Sequence, residues 1–393
     1  MILKKVLIYF PINRLIPKGG PAGYLNNLYT ELQKSYKDSE IVFEFLPSET
    51  VLTDNKGLRD SMPKRIRDVY RALRFTKLLS KQKPAPDNLD SYDAIHFHST
   101  ETMYYCRKWL EDYKGKVVLT SHSPCIYHKE LIGRLNPLDY KLLKSKLDKL
   151  EQMDIYAFER ADYIVFPCEE AEEPYYNTWD KYKSIRKAEK YRYMTTGIVG
   201  CNAKVDRQNY REKYNIPNDA FVVSYAGRHN EIKGYADLKK IGKDLLRDKN
   251  VYFLIAGREE PMKGLKDDRW IEVGWTNDPH SLIASSDVFV LPNHETYFDL
   301  ILLEVMSLGV PIVLSNTGGN KYFKKYNLDG MKFYSTLDEA KSALCELKSM
   351  PKDKLKNAGE QNKDVFSGEF SVEKFTERYV NVIADILSDG ENR

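Results

Sequence analysis

Cysteine is scarce in this sequence and follows no recognisable spacing: five residues lie scattered among 393, none of them in a CxxC pair. An odd, scattered set argues against a disulfide framework and a thiolate zinc site, and it is typical of a reducing compartment. Long apolar runs are also missing, since no stretch reaches the roughly 18 residues that a membrane-spanning helix needs. The opening segment, MILKKVLIYFP, has too short an apolar run for a signal peptide. We therefore expect a protein of the cytoplasm.

A dominant charge of one sign is lacking as well. Lysine and arginine number 61 and aspartate and glutamate 57, and the resulting net charge of +4 gives no reason to expect a nucleic-acid partner. The hydrophobic share of 42% and the charged share of 30% are typical of a globular protein. At 393 residues the chain is longer than one hydrophobic core usually serves, so two domains are expected.

One segment departs from this balance. Residues 56–83 contain ten lysines and arginines against two aspartates, a local net charge of +8. Ile66 and Tyr70 recur there at helical spacing, with Arg67 and Arg71 beside them. A basic amphipathic helix of this kind can bind anionic lipid headgroups, which would place the protein at the inner face of the plasma membrane. A solvated helix packed on the N-terminal domain explains the pattern equally well.

Short apolar, β-rich runs alternate with helical segments along the whole chain. This alternation predicts an α/β protein with two doubly wound parallel sheets, one in each half. The predicted strands are Val6–Phe10, Ile41–Leu46, Ala94–His98, Val117–Ser121, Tyr163–Pro167, Tyr193–Thr195, Phe221–Ala226, Tyr252–Ala256, Trp270–Val273, Val288–Leu291, Pro311–Ser315 and Met331–Tyr334. Among the predicted helices, one runs over Pro137–Ala161, and the last, Val372–Leu387, shows Phe375, Tyr379 and Ile383 on one face.

Ligands of open parallel sheets gather at the carboxyl ends of the strands, so residues there are the first candidates for a site. Gly19 and Gly20 lie between the first strand and a helix, where glycine lets a phosphate or sugar approach backbone N–H groups; an ordinary turn is the alternative. His96, His98 and His122 lie at the ends of two further strands. A strand histidine is more often structural than functional, and no carboxylate or thiol cluster completes a metal site around these three.

In the second half, the segment SYAGRHNEIK carries Arg228 and Lys233 directly after a predicted strand. Arginine clamps phosphate oxygens through its fork and lysine supplies a mobile point charge, so the pair suits a diphosphate. Further along, HETYFDLILLE runs from a loop into a helix that carries Glu304 among apolar neighbours. A carboxylate among apolar side chains is normally paired with a cation or bound to a ligand. Two cations and one carboxylate predict a ligand that is anionic at one end and hydroxylated at the other, such as a nucleotide diphosphate-sugar.

Together with the glycine loop, these residues resemble the retaining GT-B glycosyltransferases of family 4. The family typically carries a Gly-Arg and Lys pair for the donor diphosphate, matched here by Arg228 and Lys233. It also carries two glutamates separated by seven residues, and the second, which binds the donor ribose, is matched by Glu304. Thr296 stands at the position of the first glutamate, with Glu295 one place earlier.

The resemblance implies two facing Rossmann-like domains with the donor in the cleft between them. The N-terminal, acceptor-binding domain would comprise residues 1–199, joined by a C-terminal helix within 372–393, and the donor-binding domain residues 200–371. Transfer would need neither metal nor cofactor, with a UDP-sugar as donor and a glycan or lipid-linked hydroxyl as acceptor. The implied catalytic residues are His122, Arg228, Lys233 and Glu295. The implied donor-binding residues are Gly19, Gly20, Arg228, Lys233, Thr296, Tyr297, Phe298, Asp299, Leu300 and Glu304.

Two other functions remain open at this point. A nucleotide-sugar epimerase of the same fold would keep the donor site but isomerise the donor instead of transferring its sugar. A non-catalytic partner of another glycosyltransferase would keep the sheets without the phosphate clamp. The presence of Arg228, Lys233 and Glu304 weighs against the partner, whereas Thr296 leaves it possible.

Overall fold

The computed structural model describes residues 3–10, 20–37, 39–46 and 63–389. The chain divides into two compact units: unit 1 comprises residues 1–195 with 375–393, and unit 2 comprises residues 196–374. Two of the sequence predictions therefore fall outside the described residues, namely Gly19 and the part of the basic segment before residue 63.

Unit 1 is built on a six-stranded parallel sheet. Its strands are β1 (Lys4–Tyr9), β2 (Ile41–Leu46), β3 (Ala94–Phe97), β4 (Lys116–Leu119), β5 (Tyr163–Phe166) and β6 (Tyr191–Tyr193), in the order β2-β1-β3-β4-β5-β6. β3 and β5 are buried at every residue, as expected of strands covered by helices on both faces. Its helices are α1 (Gly20–Ser35), α2 (Lys64–Leu78), α3 (Thr100–Tyr105), α4 (Arg107–Leu110), α5 (Tyr127–Ile132), α6 (Pro137–Leu147), α7 (Glu151–Arg160), α8 (Glu173–Thr178) and α9 (Tyr182–Ile185).

The predicted helix Pro137–Ala161 is interrupted in the structure. A 3-10 turn, Asp148–Leu150, separates α6 from α7. The tighter winding of a 3-10 turn eclipses residues three apart. Leu147 and Leu150 are three apart and both fully buried in one apolar cluster, which accounts for the break.

Unit 2 repeats the plan with a second six-stranded parallel sheet. Its strands are β7 (Phe221–Ala226), β8 (Val251–Ala256), β9 (Trp270–Gly274), β10 (Val288–Leu291), β11 (Ile312–Ser315) and β12 (Met331–Tyr334), in the order β12-β11-β10-β7-β8-β9. Its helices are α10 (Arg207–Lys213), α11 (Tyr235–Leu245), α12 (Pro279–Ala284), α13 (Leu300–Ser307), α14 (Leu337–Ser349) and α15 (Lys352–Val365), with a 3-10 helix over Gly318–Tyr326 and a π-turn over Phe366–Phe370. The two doubly wound sheets expected from the sequence are thus confirmed.

The last helix, α16 (Val372–Ser388), completes the core of unit 1. Phe375, Tyr379, Ile383 and Ile386 are all at least 99% buried there, and their spacing of three and four residues forms one apolar stripe. Each such side chain stabilises the fold by roughly 1.5–3 kcal/mol through apolar burial. No helix among the described residues is both long and apolar enough to cross a bilayer.

The strand orders identify where ligands should bind. In unit 1 the chain leaves β1 for β2 on one side and returns to β3 on the other, so a crevice opens at the carboxyl ends of β1 and β3. In unit 2 the same reversal lies between β7 and β10. The segments that follow these four strands hold most of the candidate residues of the sequence analysis, whereas His96 lies within β3 and His122 follows β4.

Candidate functional site

The loop after β7 is held in shape by its own polar groups. The hydroxyl of Tyr225 donates to the carbonyl of Arg228 over 2.8 Å, and the side-chain oxygen of Asn230 accepts from the backbone N–H of Lys233 over 3.0 Å. The ring of His229, fully buried, stacks on Tyr235 with centroids 3.8 Å apart and planes 3° apart. These contacts hold the backbone of the loop from Arg228 to Lys233, and therefore fix the points from which both basic side chains extend.

Gly234 ties this loop to the end of β10. Its φ is +63°, and an added Cβ would lie 1.6 Å from the carbonyl oxygen of Pro292, so no other residue fits without moving the backbone. Nearby, the N–H of His294 donates to the carbonyl of Ile232 over 2.9 Å. The two segments at the sheet reversal are thus joined backbone to backbone.

The loop after β10 leads into α13 through Thr296, Tyr297 and Phe298. Thr296 is 2% exposed, and its carbonyl accepts from the N–H of Gly319 over 3.1 Å. The rings of Tyr297 and Phe298 are also buried, with Phe298 packed 5.4 Å from Phe323. The side chains of Tyr297 and Phe298 therefore pack inside the loop. A ligand would meet the backbone groups of these two residues.

Lys233 and Asp299 form the central ion pair of unit 2. The Lys233 ammonium donates to both carboxylate oxygens of Asp299, one of them at 2.8 Å, and the Asn293 amide donates to the same carboxylate. Burial alone would raise the pKa of Asp299, but the charges of Lys233 and Arg228 and these hydrogen bonds bring it below its usual value. Asp299 precedes Leu300, the first residue of α13, yet its side chain makes no capping bond because Lys233 holds it.

Glu304 lies five residues beyond Asp299, about 7–8 Å along the axis of α13 at 1.5 Å per residue. Its carboxylate accepts from Nε2 of His280, on α12, over 3.2 Å, and both side chains are about one quarter exposed. Hydrogen bonds to Cys201 and Glu304 raise the pKa of His280 to about 10, so the imidazole is protonated at neutral pH. The sequence predicted that Glu304 would be paired or ligand-bound, and in the structure His280 is its partner.

The structure brings Arg228, Lys233 and Asp299 together and places Glu304 one helical turn and a half further along the same helix. Glu295 lies half-buried in the loop that precedes α13. Sequence reasoning missed His280 and Asn293. Neither belongs to a local pattern, because each meets its partner only through the packing of unit 2.

In unit 1, the strand-end histidines form one cluster, in which His96 and His98 are buried and His122 is half-buried. His96 bonds through Nδ1 to the hydroxyl of Tyr379 and through Nε2 to the hydroxyl of Thr120, both at 2.9 Å. His98 meets His122 over 2.8 Å between Nδ1 and Nε2. Burial lowers the pKa of both His96 and His122 to about 3 and that of His98 well below its usual value, so all three are neutral.

Gly20 and Cys168, also in unit 1, have simpler surroundings. Gly20 begins α1 with a φ of +67°, a conformation that favours glycine. Cys168 is 2% exposed, and burial raises the pKa of its thiol, so it is a small core residue and not a nucleophile. Across the described ranges, no group of three or more His, Cys, Asp or Glu side chains is arranged to hold a metal ion.

The cluster in unit 2 has the chemistry of an anion site. Lys233 pairs with Asp299, and the charge of Arg228 also acts on that carboxylate, so two cations lie near this end of the sheet. The start of α13 adds backbone N–H groups and the positive end of the helix dipole. A diphosphate suits this charge, and hydroxyl groups suit the carboxylate of Glu304.

Comparison with known proteins adds independent findings. Residues 220–347 match the family model for glycosyl transferases group 1. Over 96% of this chain and 90% of the other, the sequence is 24% identical to the UDP-Gal:alpha-D-GlcNAc-diphosphoundecaprenol alpha-1,3-galactosyltransferase of Escherichia coli.

Solved structures with similar folds include the sucrose-phosphate synthase of Thermosynechococcus elongatus, at a TM-score of 0.66 and 14% identity over 98% of this chain and all of that one. Anabaena HepE in complex with UDP has a TM-score of 0.61 and 13% identity over 97% of this chain and all of that one. At these identities the structural likeness shows the fold, and both folds extend over nearly the whole chain.

Proposed function

Because this chain is a glycosyltransferase of the GT-B fold, similar to family 4, we propose that it transfers a sugar with retention from a UDP-sugar to a hydroxyl group of a glycan or lipid-linked acceptor. The observation that carries the proposal is the cluster of Arg228, Lys233 and Asp299 at the reversal between β7 and β10, with Glu304 further along α13. A ligand with a diphosphate at one end and hydroxyls at the other matches these groups in chemistry.

Each residue then has a role set by its chemistry. Arg228 and Lys233 hold the diphosphate and stabilise the charge that develops as the sugar–phosphate bond breaks. Glu304, oriented by His280, accepts hydrogen bonds from the ribose hydroxyls. Glu295 and His122 contact the sugar.

Arg228 and Lys233 offset part of the charge of the leaving group, and in keeping with the resemblance to family 4 we propose that the reaction needs neither a metal ion nor another cofactor. In keeping with the resemblance to family 4, the acceptor oxygen attacks the anomeric carbon on the face that the phosphate leaves. The new glycosidic bond forms as the sugar–phosphate bond breaks, and the acceptor proton passes to the departing phosphate.

The choice of donor and acceptor rests on the relatives. The Escherichia coli enzyme is named for UDP-galactose and a diphosphoundecaprenol acceptor, and Anabaena HepE was crystallised with UDP. We propose the same classes of substrate here: a uridine nucleotide sugar and an acceptor of the kind used to build cell-surface polysaccharide.

The test is a set of incubations with UDP-sugars, with and without a lipid-diphosphate-linked sugar acceptor. Transfer supports the proposal when the product appears only with both substrates and keeps the anomeric configuration of the donor. An isomerised donor formed without acceptor would instead identify an epimerase. Calorimetric titration with UDP and GDP tests whether the protein is a non-catalytic partner of another glycosyltransferase. Such a partner, without the phosphate clamp, would bind neither nucleotide.

We further propose that unit 1 contacts anionic membrane through α2 and α6. The two helices are joined by Arg65, which donates to both oxygens of Asp139 at 2.8 Å. Each helix also exposes a pair of apolar side chains four residues apart. These are Ile66 (53% exposed) and Tyr70 (47%) on α2, and Leu138 (70%) and Leu142 (81%) on α6.

Basic residues accompany both apolar pairs. The exposed lysines and arginines of the two helices include Lys64, Arg71, Arg74, Lys77, Lys141, Lys144 and Lys146. Apolar side chains that enter the headgroup region and cations that meet anionic lipid are the two requirements for interfacial binding. A lipid-linked acceptor would give such contact a purpose.

Co-sedimentation with vesicles tests this contact. We expect the protein to pellet with phosphatidylglycerol vesicles and to remain in solution with pure phosphatidylcholine. The double variant Arg71→Glu/Arg74→Glu should lose most of the pelleted fraction, whereas Lys352→Glu/Lys356→Glu, two exposed charges on α15 of unit 2, should not. Equal pelleting by both variants would remove α2 from the proposal.

A further inference from the structure

The contact between His98 and His122 constrains where their protons lie. β3 and β4 are neighbours in the sheet of unit 1, and the two histidines follow their carboxyl ends. Nδ1 of His98 and Nε2 of His122 are 2.8 Å apart, a hydrogen-bond distance. Since both rings are neutral, one of these nitrogens carries the proton and the other accepts it.

The surroundings of His98 decide between the two arrangements. His98 is 1% exposed, and among the described residues its Nε2 has no hydrogen-bond partner. If His98 were protonated at Nε2, a buried N–H would be left without an acceptor. If it is protonated at Nδ1, that N–H is satisfied by His122 and only a lone pair is left. Buried N–H groups without an acceptor are the rarer and costlier case, so the second arrangement is favoured.

The neighbouring rings leave little room for another arrangement. The ring of His96 packs against that of His98 with centroids 4.1 Å apart, and both of its nitrogens already bond to hydroxyl groups. Tyr24, on α1, lies with its ring centroid 5.7 Å from that of His98 and 4.6 Å from that of His122. The ring of His98 is therefore held between its neighbours in one orientation.

His122 is held as firmly as its partner. Its φ is +56°, in the left-handed region that residues with a side chain rarely adopt, at a cost of roughly 1–3 kcal/mol. The hydrogen bond to His98 and the edge contact with Tyr24 offset that cost. Such strain at the end of a strand fixes the direction of the imidazole.

From this geometry we propose that His98 is a positioning residue that fixes His122 in the tautomer protonated at Nδ1, so that His122 acts on the donor sugar as a hydrogen-bond donor and not as a base. With its Nε2 occupied as an acceptor, neutral His122 has one remaining ring nitrogen, Nδ1, and that nitrogen carries a proton. No described residue bonds to it. The inference rests on the proposed function only for the identity of the ligand, since the tautomer is a property of the protein alone.

Nuclear magnetic resonance of the full chain labelled with ¹⁵N-histidine tests the tautomer directly. The chain has seven histidines, and His122→Gln and His98→Asn each remove one set of signals, which assigns the pair. We expect two-bond proton–nitrogen correlations to show both histidines protonated at Nδ1. This differs from the Nε2-protonated form that a free histidine side chain prefers in water. Protonation of His122 at Nε2 in the wild-type protein would overturn the proposal, whatever the variants do.

Two substitutions at position 98 test the consequence for the reaction. The amide of Asn can donate from about the place of Nδ1, whereas Leu fills similar space and donates nothing. We expect His98→Asn to keep kcat/KM for the donor within about threefold of wild type and His98→Leu to lose about tenfold, with mixed tautomers at His122. Equal losses in both variants, or none in either, would refute the positioning role.

The two proposals fail separately. If no UDP-sugar is consumed under any condition, the proposed function is wrong, while the spectra still report the tautomer. If transfer occurs but His122 is protonated at Nε2, the function stands and the role of His98 is wrong. Should His98→Leu not fold, the wild-type spectrum and the kinetics of His98→Asn decide the matter.

Discussion

The carboxyl ends of the strands carry neutral imidazoles in unit 1 and charged side chains in unit 2. In unit 1 the ends of β3 and β4 carry His96, His98 and His122, whose pKa values are lowered by burial, so all three imidazoles are neutral. In unit 2 the loops after β7 and β10 carry a half-buried ion pair between Lys233 and Asp299. Neutral donors and acceptors suit hydroxyl groups, whereas cations suit a diphosphate. The same backbone plan thus carries different chemistry in the two units, because the residues at the strand ends differ.

The largest expected difference between the units is in acid, where unit 1 should unfold before unit 2. His96 and His122 have folded pKa values of about 3, against about 6.5 in the unfolded chain, so between these pH values only the unfolded chain binds the proton. The free energy of unfolding therefore decreases as the pH falls below 6.5, and the decrease ends below pH 3. At pH 5 this amounts to about 2 kcal/mol for each of His96 and His122. Unit 2 has one such residue, His229, and an opposing one in His280. Hydrogen exchange at pH 7 and pH 5 should show protection lost in unit 1 first; equal loss in both units contradicts this.

Removing one cation tests the charged half. Lys233→Ala should lower kcat/KM about a hundredfold, or about 2.7 kcal/mol, because it removes a contact to the departing diphosphate and leaves Asp299 with one counter-charge fewer. Lys240→Ala is the matched control, since Lys240 bonds to Asp237 on the exposed side of the next helix. Steady-state kinetics measure both. A Lys233→Ala enzyme as active as the control would separate the ion pair from the reaction.

A smaller loss of kcat/KM is expected at Glu304, the residue proposed to bind the ribose hydroxyls. Glu304→Gln keeps the shape of the side chain but weakens its bonds to ribose hydroxyls and to His280. We expect about a tenfold loss in kcat/KM, which corresponds to about 1.4 kcal/mol. Glu346→Gln, which alters an exposed pair with Lys332, is the control. The hypothesis about ribose fails if both variants bind UDP with unchanged affinity in a calorimeter.

The smallest effect concerns stability at high pH. Hydrogen bonds to Cys201 and Glu304 raise the pKa of His280 to about 10 in the folded protein, so the stability that its charge contributes is complete below pH 6.5 and is lost as the pH rises through 10. For a pair that is partly exposed, roughly 0.5–1 kcal/mol is expected. Urea unfolding of wild type and His280→Gln should differ by this amount at pH 6 and converge by pH 10. A difference that stays constant with pH would mean that the charge of His280 does not contribute.

Most of the fold was predictable because it is encoded locally. Four predicted strands match the structure at both ends: Ile41–Leu46, Phe221–Ala226, Val288–Leu291 and Met331–Tyr334. Buried parallel strands produce short apolar runs between polar turns, which the sequence displays directly. The short helices α3, α4, α5 and α9 were not predicted, since four to six residues are too few to show a helical period.

The site was predictable where a residue type alone reveals its chemistry, as at Arg228, Lys233 and Glu304, whose roles remain predictions. What the sequence did not reveal is how the residues pair. Asp299 was expected among the donor-binding residues, and in the structure its carboxylate bonds to Lys233, 66 residues away. His280 meets Glu304 only because α12 and α13 pack together. Such pairs depend on tertiary packing, and no local pattern signals them.

The position of α16 has a consequence for synthesis on the ribosome. Strands β1 to β6 emerge early, but the helix that covers their buried apolar face follows the whole of unit 2 in the chain. Unit 2, whose residues are contiguous, can complete its core while unit 1 still exposes the surface awaiting Phe375, Tyr379 and Ile383. A chain that ended at residue 374 would therefore contain all of unit 2 and would leave the apolar face of unit 1 without its covering helix.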